Sequence, residues 1–251
     1  MTELTGRVAV VTGGGAGIGR EICLDLASAG ADVVITDRSD PSAVADEIVA
    51  AGGRAIAVMA DVTSESDMAA AVAAGIEVFG GIDILVNNAG IFASLKNRPF
   101  EDIPLEEWRL VFDINVLGSA VAVKSVLPSM RTRAAGSIVN IASTTAFKGS
   151  GLPHYASSKG AIIALTKSLA REFGGDVIRV NAVAPGFTVS AGVEQNADQT
   201  AKMRANAAGS RVLKREMMPD DIVGAVRFLA GPASAFITGQ TIVVDGGAYF
   251  H

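Results

Sequence analysis

Tyr155 and Lys159 lie four residues apart in Tyr155-Ala156-Ser157-Ser158-Lys159, a spacing that puts a phenol and an ammonium on one face of a helix. A free phenol, with its ordinary pKa of about 10, is a poor base at neutral pH, and a neighbouring cation lowers it by favouring phenolate. Ordinary surface contacts show the same spacing, so the pair alone leaves both readings open. A second candidate is Thr12-Gly13-Gly14-Gly15-Ala16-Gly17-Ile18-Gly19, set between the apolar run Val8–Val11 and the helix-like stretch Arg20–Ala27. Glycines there let backbone N–H groups approach a pyrophosphate, and the following helix offers its partly positive N-terminus to the same anion. Any tight strand-to-helix turn also wants glycine for steric reasons. Asp37 adds the missing half: eighteen residues after Gly19, it ends the apolar run Val33-Val34-Ile35-Thr36, where a ribose-binding carboxylate is expected.

These residues need a scaffold, and the pattern around them supplies one. Short β-branched runs alternate with helical stretches, which makes right-handed βαβ crossovers and a parallel sheet the economical topology. The runs are Val8–Val11, Val33–Thr36, Arg54–Met59, Ile82–Val86, Gly136–Ala142, Val177–Val183 and Thr241–Asp245. Helical spacing fills Pro41–Ala51, closed by Gly52-Gly53, and the stretch from Ser64 to Phe79, which Ser64 and Asp67 open in a capping arrangement. Leu105–Met130 reads as one long amphipathic segment with Asn115 in an otherwise apolar phase, and a polar side chain there needs a partner, the nearby helix backbone being one. Pro153 opens the helix that carries Tyr155, Ser158 and Lys159. Ser143 and Asp61-Val62 lie at carboxyl ends of strands, as does the turn Asn87-Asn88-Ala89-Gly90, the side on which open α/β sheets bind ligands. Residues 187–216 turn polar, alanine-rich and weakly periodic, which suits a mobile lid or an outlying helical pair.

Composition narrows the class of protein. A length of 251 residues fits one α/β domain, and 49% hydrophobic content supports a large core. No segment approaches eighteen unbroken apolar residues, and the first residues lack the basic start and apolar core of a signal peptide, so a cytoplasmic protein without membrane association is expected. Cys23, the one cysteine, reads as a packed thiol; two histidines and one cysteine leave little for a metal site. A net charge of −5 with pI near 5.1 gives no electrostatic footprint for nucleic acid.

Taken in order and register, Thr12–Gly19 (TGGGAGIG), Asn87–Gly90 (NNAG), Asn115, Ser143 and Tyr155–Lys159 (YASSK) resemble the short-chain dehydrogenase/reductase family, as do Arg179-Val180-Asn181, Pro185-Gly186 and Val244–Gly247. The resemblance spans nearly the whole chain. It implies a single Rossmann-type, doubly wound domain with about seven parallel strands and helices on both faces, usually assembled as a homotetramer. It also implies roles: Tyr155 as general acid/base, Ser143 holding the substrate oxygen, Lys159 lowering the phenol and holding the nicotinamide ribose, and Asn115 positioning a water between Lys159 and solvent. Cofactor contacts are expected from Gly13, Gly17, Ile18, Gly19, Asp37, Asp61, Val62, Asn88, Ala89, Gly90, Pro185, Gly186 and Thr188. The family often places a threonine where this chain has Ser190; Thr188, two residues earlier, is taken as its replacement.

Asp37 can accept from both ribose hydroxyls and would repel a 2′-phosphate, which favours NAD, while the adjacent Arg38 points the other way. The expected activity is therefore NAD(H)-dependent interconversion of a secondary alcohol and a ketone. The alternatives are an NADPH-dependent 3-oxoacyl thioester reductase and a non-catalytic dinucleotide sensor. Phe92, Ser94, Leu95, Thr144, Thr145, Phe147, Phe187 and Val193 would wall the substrate pocket, or merely pack the loop bases, and Lys96, Arg98 and Lys148 are the cations that could meet an acidic substrate group.

Overall fold

The computed structural model describes residues 3–250. Among them, seven strands form one parallel sheet in the order β3-β2-β1-β4-β5-β6-β7: β1 (Val8–Thr12), β2 (Asp32–Asp37), β3 (Arg54–Met59), β4 (Ile84–Asn87), β5 (Gly136–Ile141), β6 (Ile178–Pro185) and β7 (Thr241–Val244). The order in which strands are added reverses between β1 and β4, opening a crevice at their carboxyl ends, where dinucleotides bind in doubly wound folds.

Alternation along the strands explains the layers. Ala9 and Val11 of β1, with Val33 and Ile35 of β2, face α1 (Gly17–Ser28), α2 (Ser42–Ala50) and, farther along the sheet, α10 (Asp220–Ala230) through Ile22, Leu26, Ile48, Ile222 and Val226. Val8, Val10 and Val34 face the opposite layer, α3 (Glu65–Phe79), α5 (Gly118–Thr132) and α7 (Pro153–Phe173), through Met68, Val72, Val123, Val126 and Phe173. A period-2 strand buried on both faces can be apolar along its run, as β1 is from Val8 to Val11, with Thr12 buried at its end. Cys23 lies fully buried in the first layer, and burial pushes its thiol well above the ordinary range.

Local signals set the helix ends. Pro153 occupies the first turn of α7, and Gly80 ends α3 in the left-handed region at φ 85°. The Ser64–Asp67 cap differs from the expected reciprocal form. Ser64 Oγ accepts from the Asp67 amide at 3.2 Å, but the Asp67 carboxylate accepts from Ser64 Oγ and from the amide of Asp61, drawing in the Asp61 turn at the end of β3.

The long apolar segment is not one uniform helix. α4 (Leu105–Phe112) passes through a widened turn at Asp113–Leu117 into α5, the Gly118 amide reaching back five residues to the Asp113 carbonyl. The combined helix is long and apolar enough to cross a membrane by length and composition; Val111, Asn115, Val123 and Val126 are buried, while Leu105, Leu110 and Leu117 are exposed. Residues 187–216 contain a helical pair, α8 (Ala191–Gln195) and α9 (Ala197–Ser210). α6 (Thr145–Lys148) follows Ser143.

Candidate active site

The glycine turn is shaped by close approaches that exclude a side chain. A Cβ on Gly13 would stand 2.9 Å from Ala89 Cα, and one on Gly19 would stand 2.0 Å from the Gly13 carbonyl oxygen. Gly13 and Gly17 also adopt φ of 64° and 55°, where a Cβ is strained. Thr12 Oγ1 accepts from the amides of Asn88 at 3.1 Å and Ala89 at 3.1 Å, and Asn88 Nδ2 donates to the carbonyls of Thr12 and Gly13. The Asn87–Gly90 turn is thereby pinned to the end of β1. Asn88, expected on the ribose side, lines the crevice but spends its amide group on this cross-link.

The first turn of α1 has no side-chain cap at Ala16 and no acidic residue, so its N–H groups are available to an anion. Asp37 lies beside the turn, its Oδ2 accepting from the Gly15 amide at 3.1 Å and its Oδ1 from the Ser39 amide at 3.1 Å. A bare glycine cradle, an uncapped helix end and an oriented carboxylate fit a dinucleotide's pyrophosphate and ribose. Asp61 closes the same end: Thr63 donates to it from both amide and hydroxyl, holding its carboxyl below the ordinary range. Val62 packs where a Gly118 Cβ would come within 2.7 Å of it.

At the other end of the crevice Ser143, Tyr155 and Lys159 converge from β5 and α7. Ser143 Oγ accepts from the Thr145 amide at 3.2 Å and from Thr145 Oγ1 at 3.0 Å, which leaves its own proton free to donate. Tyr155 hydrogen-bonds with Ser143, and the Lys159 Nζ lies 5.8 Å from the Tyr155 ring centre while donating to the Ile141 carbonyl at 2.8 Å. Lys159 is only 5% exposed.

The protein groups alone do not lower the phenol. Burial pushes Tyr155 up to about 12, with the Ser143 hydrogen bond opposing, and burial pushes Lys159 down to about 8. The lowering is expected from Lys159 together with the positive charge of oxidised nicotinamide; among the protein's own groups desolvation dominates, because both sit in the same low-dielectric pocket.

Asn115 sits behind the pocket. Its Oδ1 accepts from the Ile91 amide at 2.9 Å and its Nδ2 donates to Ser158 Oγ at 3.1 Å, so its partners come from β4's exit and from α7, not from its own helix as the local reading allowed. A Cβ on Gly90 would stand 3.0 Å from Asn115 Oδ1 and 3.6 Å from Lys159 Nζ, which explains the glycine there.

One crevice of about 800 Å³ joins these groups. Gly13, Gly17, Ile18, Gly19, Asp37, Asp61, Val62, Asn88, Ala89 and Gly90 line its dinucleotide end, and Ser143, Tyr155, Lys159, Pro185, Gly186 and Thr188 its other end. Thr188 Oγ1 donates to the Gly186 carbonyl at 3.1 Å, so it can only accept from a ligand. Ser190, ranked behind it from sequence, faces the glycine turn, 3.4 Å from where a Gly17 Cβ would be. Phe92 packs on the Tyr155 ring at 4.9 Å and meets Phe187 edge-on at 6.2 Å. Phe147 stacks on Tyr249. Of the three cations considered, Lys148 lines the crevice, whereas Arg98 is bound to Glu107. Val193, Met203, Asn206 and Ser210 close the crevice from the 187–216 segment; no periodicity marked the last three.

Comparisons with known proteins give the chain's family. The family profile described as enoyl-(acyl carrier protein) reductase matches residues 13–249. A 3-oxoacyl-[acyl-carrier-protein] reductase of Synechocystis is 38% identical over 253 residues, covering 98% of each chain. The 7alpha-hydroxysteroid dehydrogenase of Escherichia coli K12 is 36% identical over 248 residues, covering 98% of this chain and 95% of that one. The crystal structure of a short-chain type dehydrogenase/reductase from Mycobacterium marinum superimposes with a TM-score of 0.91 at 34% identity, covering 100% and 98% of the two chains. The chain belongs to the short-chain dehydrogenase/reductase family of oxidoreductases.

Proposed function

We propose that this protein is an NAD(H)-dependent oxidoreductase that interconverts a secondary alcohol and a ketone, with Tyr155 as general acid/base. The observation that carries the reading is a single crevice with an oriented carboxylate, Asp37, at one end and Ser143, Tyr155 and Lys159 at the other. The bound nicotinamide would supply the hydride acceptor or donor. Tyr155 Oη would take the hydroxyl proton of the alcohol, or return it to the carbonyl oxygen in reverse. Ser143, its oxygen held by Thr145, would donate to that same substrate oxygen. Lys159 keeps two protons beyond the one given to Ile141, enough to hold ribose hydroxyls and steady the phenolate. Asn115 would position a water between Lys159 and solvent.

Asp37 favours NAD because both its oxygens already face backbone donors and a 2′-phosphate would bring negative charge against it. The alternative, an NADPH-dependent 3-oxoacyl thioester reductase, draws on Arg38, which lines the crevice beside Asp37, and on the Synechocystis relative. A catalytically silent dinucleotide sensor would not need the proton-transfer set. Titrating NAD and NADP separately against benzylic, aliphatic and steroidal alcohols, their ketones and 3-oxoacyl thioesters separates the three. Turnover with NAD on alcohols supports the first reading, NADP preference with thioester activity the second, and dinucleotide binding without turnover in any arm the third. The exposed leucines of α4 and of the widened turn after it support a homotetramer, which light scattering would register as four times the 25.6 kDa chain.

A further inference from the structure

Glu107 on α4 sits between Arg98 and His154, side chains drawn from different parts of the chain. Arg98 Nη2 donates to its Oε2 at 2.7 Å, and His154 Nε2 stands 3.0 Å from its Oε1, off the line of a hydrogen bond. His154 is wholly buried and next to Tyr155, and among the described residues neither of its ring nitrogens has a hydrogen-bond partner. Trp108, the sole tryptophan, lies 5.7 Å from the His154 ring.

The stretch from Ile91 to Arg98 has no helix or strand of its own. It carries Phe92, which packs on the Tyr155 ring, and Leu95, which is buried with Val111, Leu152 and Tyr155. Its far end needs an anchor for Phe92 to be a fixed wall. Arg98 supplies it: a largely buried carboxylate held by an arginine is costly to separate, because the charge left behind has no compensation. The third member, His154, is the first-turn neighbour of the tyrosine itself.

We propose that Arg98, Glu107 and His154 are positioning residues that clamp the 91–98 segment onto the first turn of the Tyr155 helix and so set the substrate wall, without touching the dinucleotide end. The inference rests on the proposed oxidoreductase reading, and its first readout does not require turnover. In Glu107→Gln, hydrogen exchange by mass spectrometry should be at least tenfold faster over residues 91–98 and unchanged over the glycine turn 13–19, with Trp108 emission shifted. Arg98→Lys, which keeps a cation for the carboxylate, should exchange like the wild type. In turnover, Glu107→Gln should raise the KM of the alcohol or ketone at least fivefold and leave the NAD dissociation constant within twofold.

Unchanged exchange over 91–98 would overturn the clamp, and so would parallel loss at the glycine turn and in NAD affinity, which marks general destabilisation. Faster exchange with an unchanged substrate KM would overturn its role in the substrate wall. If Glu107→Gln does not fold, Arg98→Ala takes its place with the same criteria. Should the wild type turn over no substrate in any arm, the oxidoreductase reading fails while the exchange comparison still decides the clamp.

Discussion

At the glycine turn, backbone packs against backbone: Gly13 against Ala89, Gly19 against Gly13, with Thr12 and Asn88 tying the two strand ends together. Across the other end of the crevice, residues 187–216 are joined to the body by main-chain bonds at Val189–Met217 and Val212–Gly246 and add side-chain ties among themselves. Thr200 bonds the carbonyls of Val193 and Asn196, Arg204 pairs with Glu216, and the buried Arg211 reaches the carbonyls of Arg215 and Phe187. Main-chain contacts cannot be re-tailored by substitution without moving the sheet, whereas side-chain contacts can. The dinucleotide end, where a Cβ on Gly13 or Gly19 meets backbone, therefore has less room for substitution, and the segment over the substrate end has more.

Substitutions can test how far that contrast extends. The largest effect belongs to the proposed proton-transfer set: Tyr155→Phe should lower kcat by roughly 10²–10⁴ while dinucleotide binding, read by fluorescence titration, stays intact. Lys159→Met should also abolish most turnover, yet raise thermal stability at neutral pH. Its folded pKa of about 8 lies below the ordinary value of 10.5, so the folded chain holds that proton less tightly than the unfolded chain. The resulting penalty, up to roughly 3 kcal/mol, is fully present below pH 8 and fades as pH rises from 8 to 10.5. Thermal melts of wild type and variant across that window should converge.

Gly13→Ala strikes the rigid half directly. A Cβ 2.9 Å from the Ala89 backbone, at a φ of 64°, has nowhere to relax, and NAD affinity should fall about tenfold to a hundredfold, on the order of 1–3 kcal/mol. Asp37→Ser leaves the cradle and removes only the charged acceptor. NAD should weaken about tenfold while NADP changes little or improves, since a charged hydrogen bond contributes roughly 1.5–3 kcal/mol. Equal weakening of both cofactors would break the link between Asp37 and the ribose. The smallest effect lies in the changeable half: Arg204→Ala removes an exposed ion pair, worth about 0–1 kcal/mol, and should leave kcat within twofold. A tenfold loss there would mean that the 187–216 segment is built as rigidly as the glycine turn.

Much of this was legible before folding because it is local. Strand alternation, the Pro153 start, the Gly80 stop and the glycine turn each depend on residues within a few positions of one another, and so do Asp37 at its strand end and the four-residue spacing of Tyr155 and Lys159. Steric and hydrogen-bonding rules at that range leave few outcomes. What the linear chain left open is long-range. Asn115 finds Ile91 across 24 residues and Ser158 across 43, through a widened turn that no periodicity announces. Arg98 reads as a free cation until α4 brings Glu107 against it, and the 187–216 stretch resolves into two helices whose weak periodicity reflects how little of them the core buries. The electrostatics of the pair at the centre were also decided by folding. Spacing put a cation beside a phenol, but only closure of β5 and α7 over them set how dry their pocket is, and desolvation then pushes both groups towards their neutral forms.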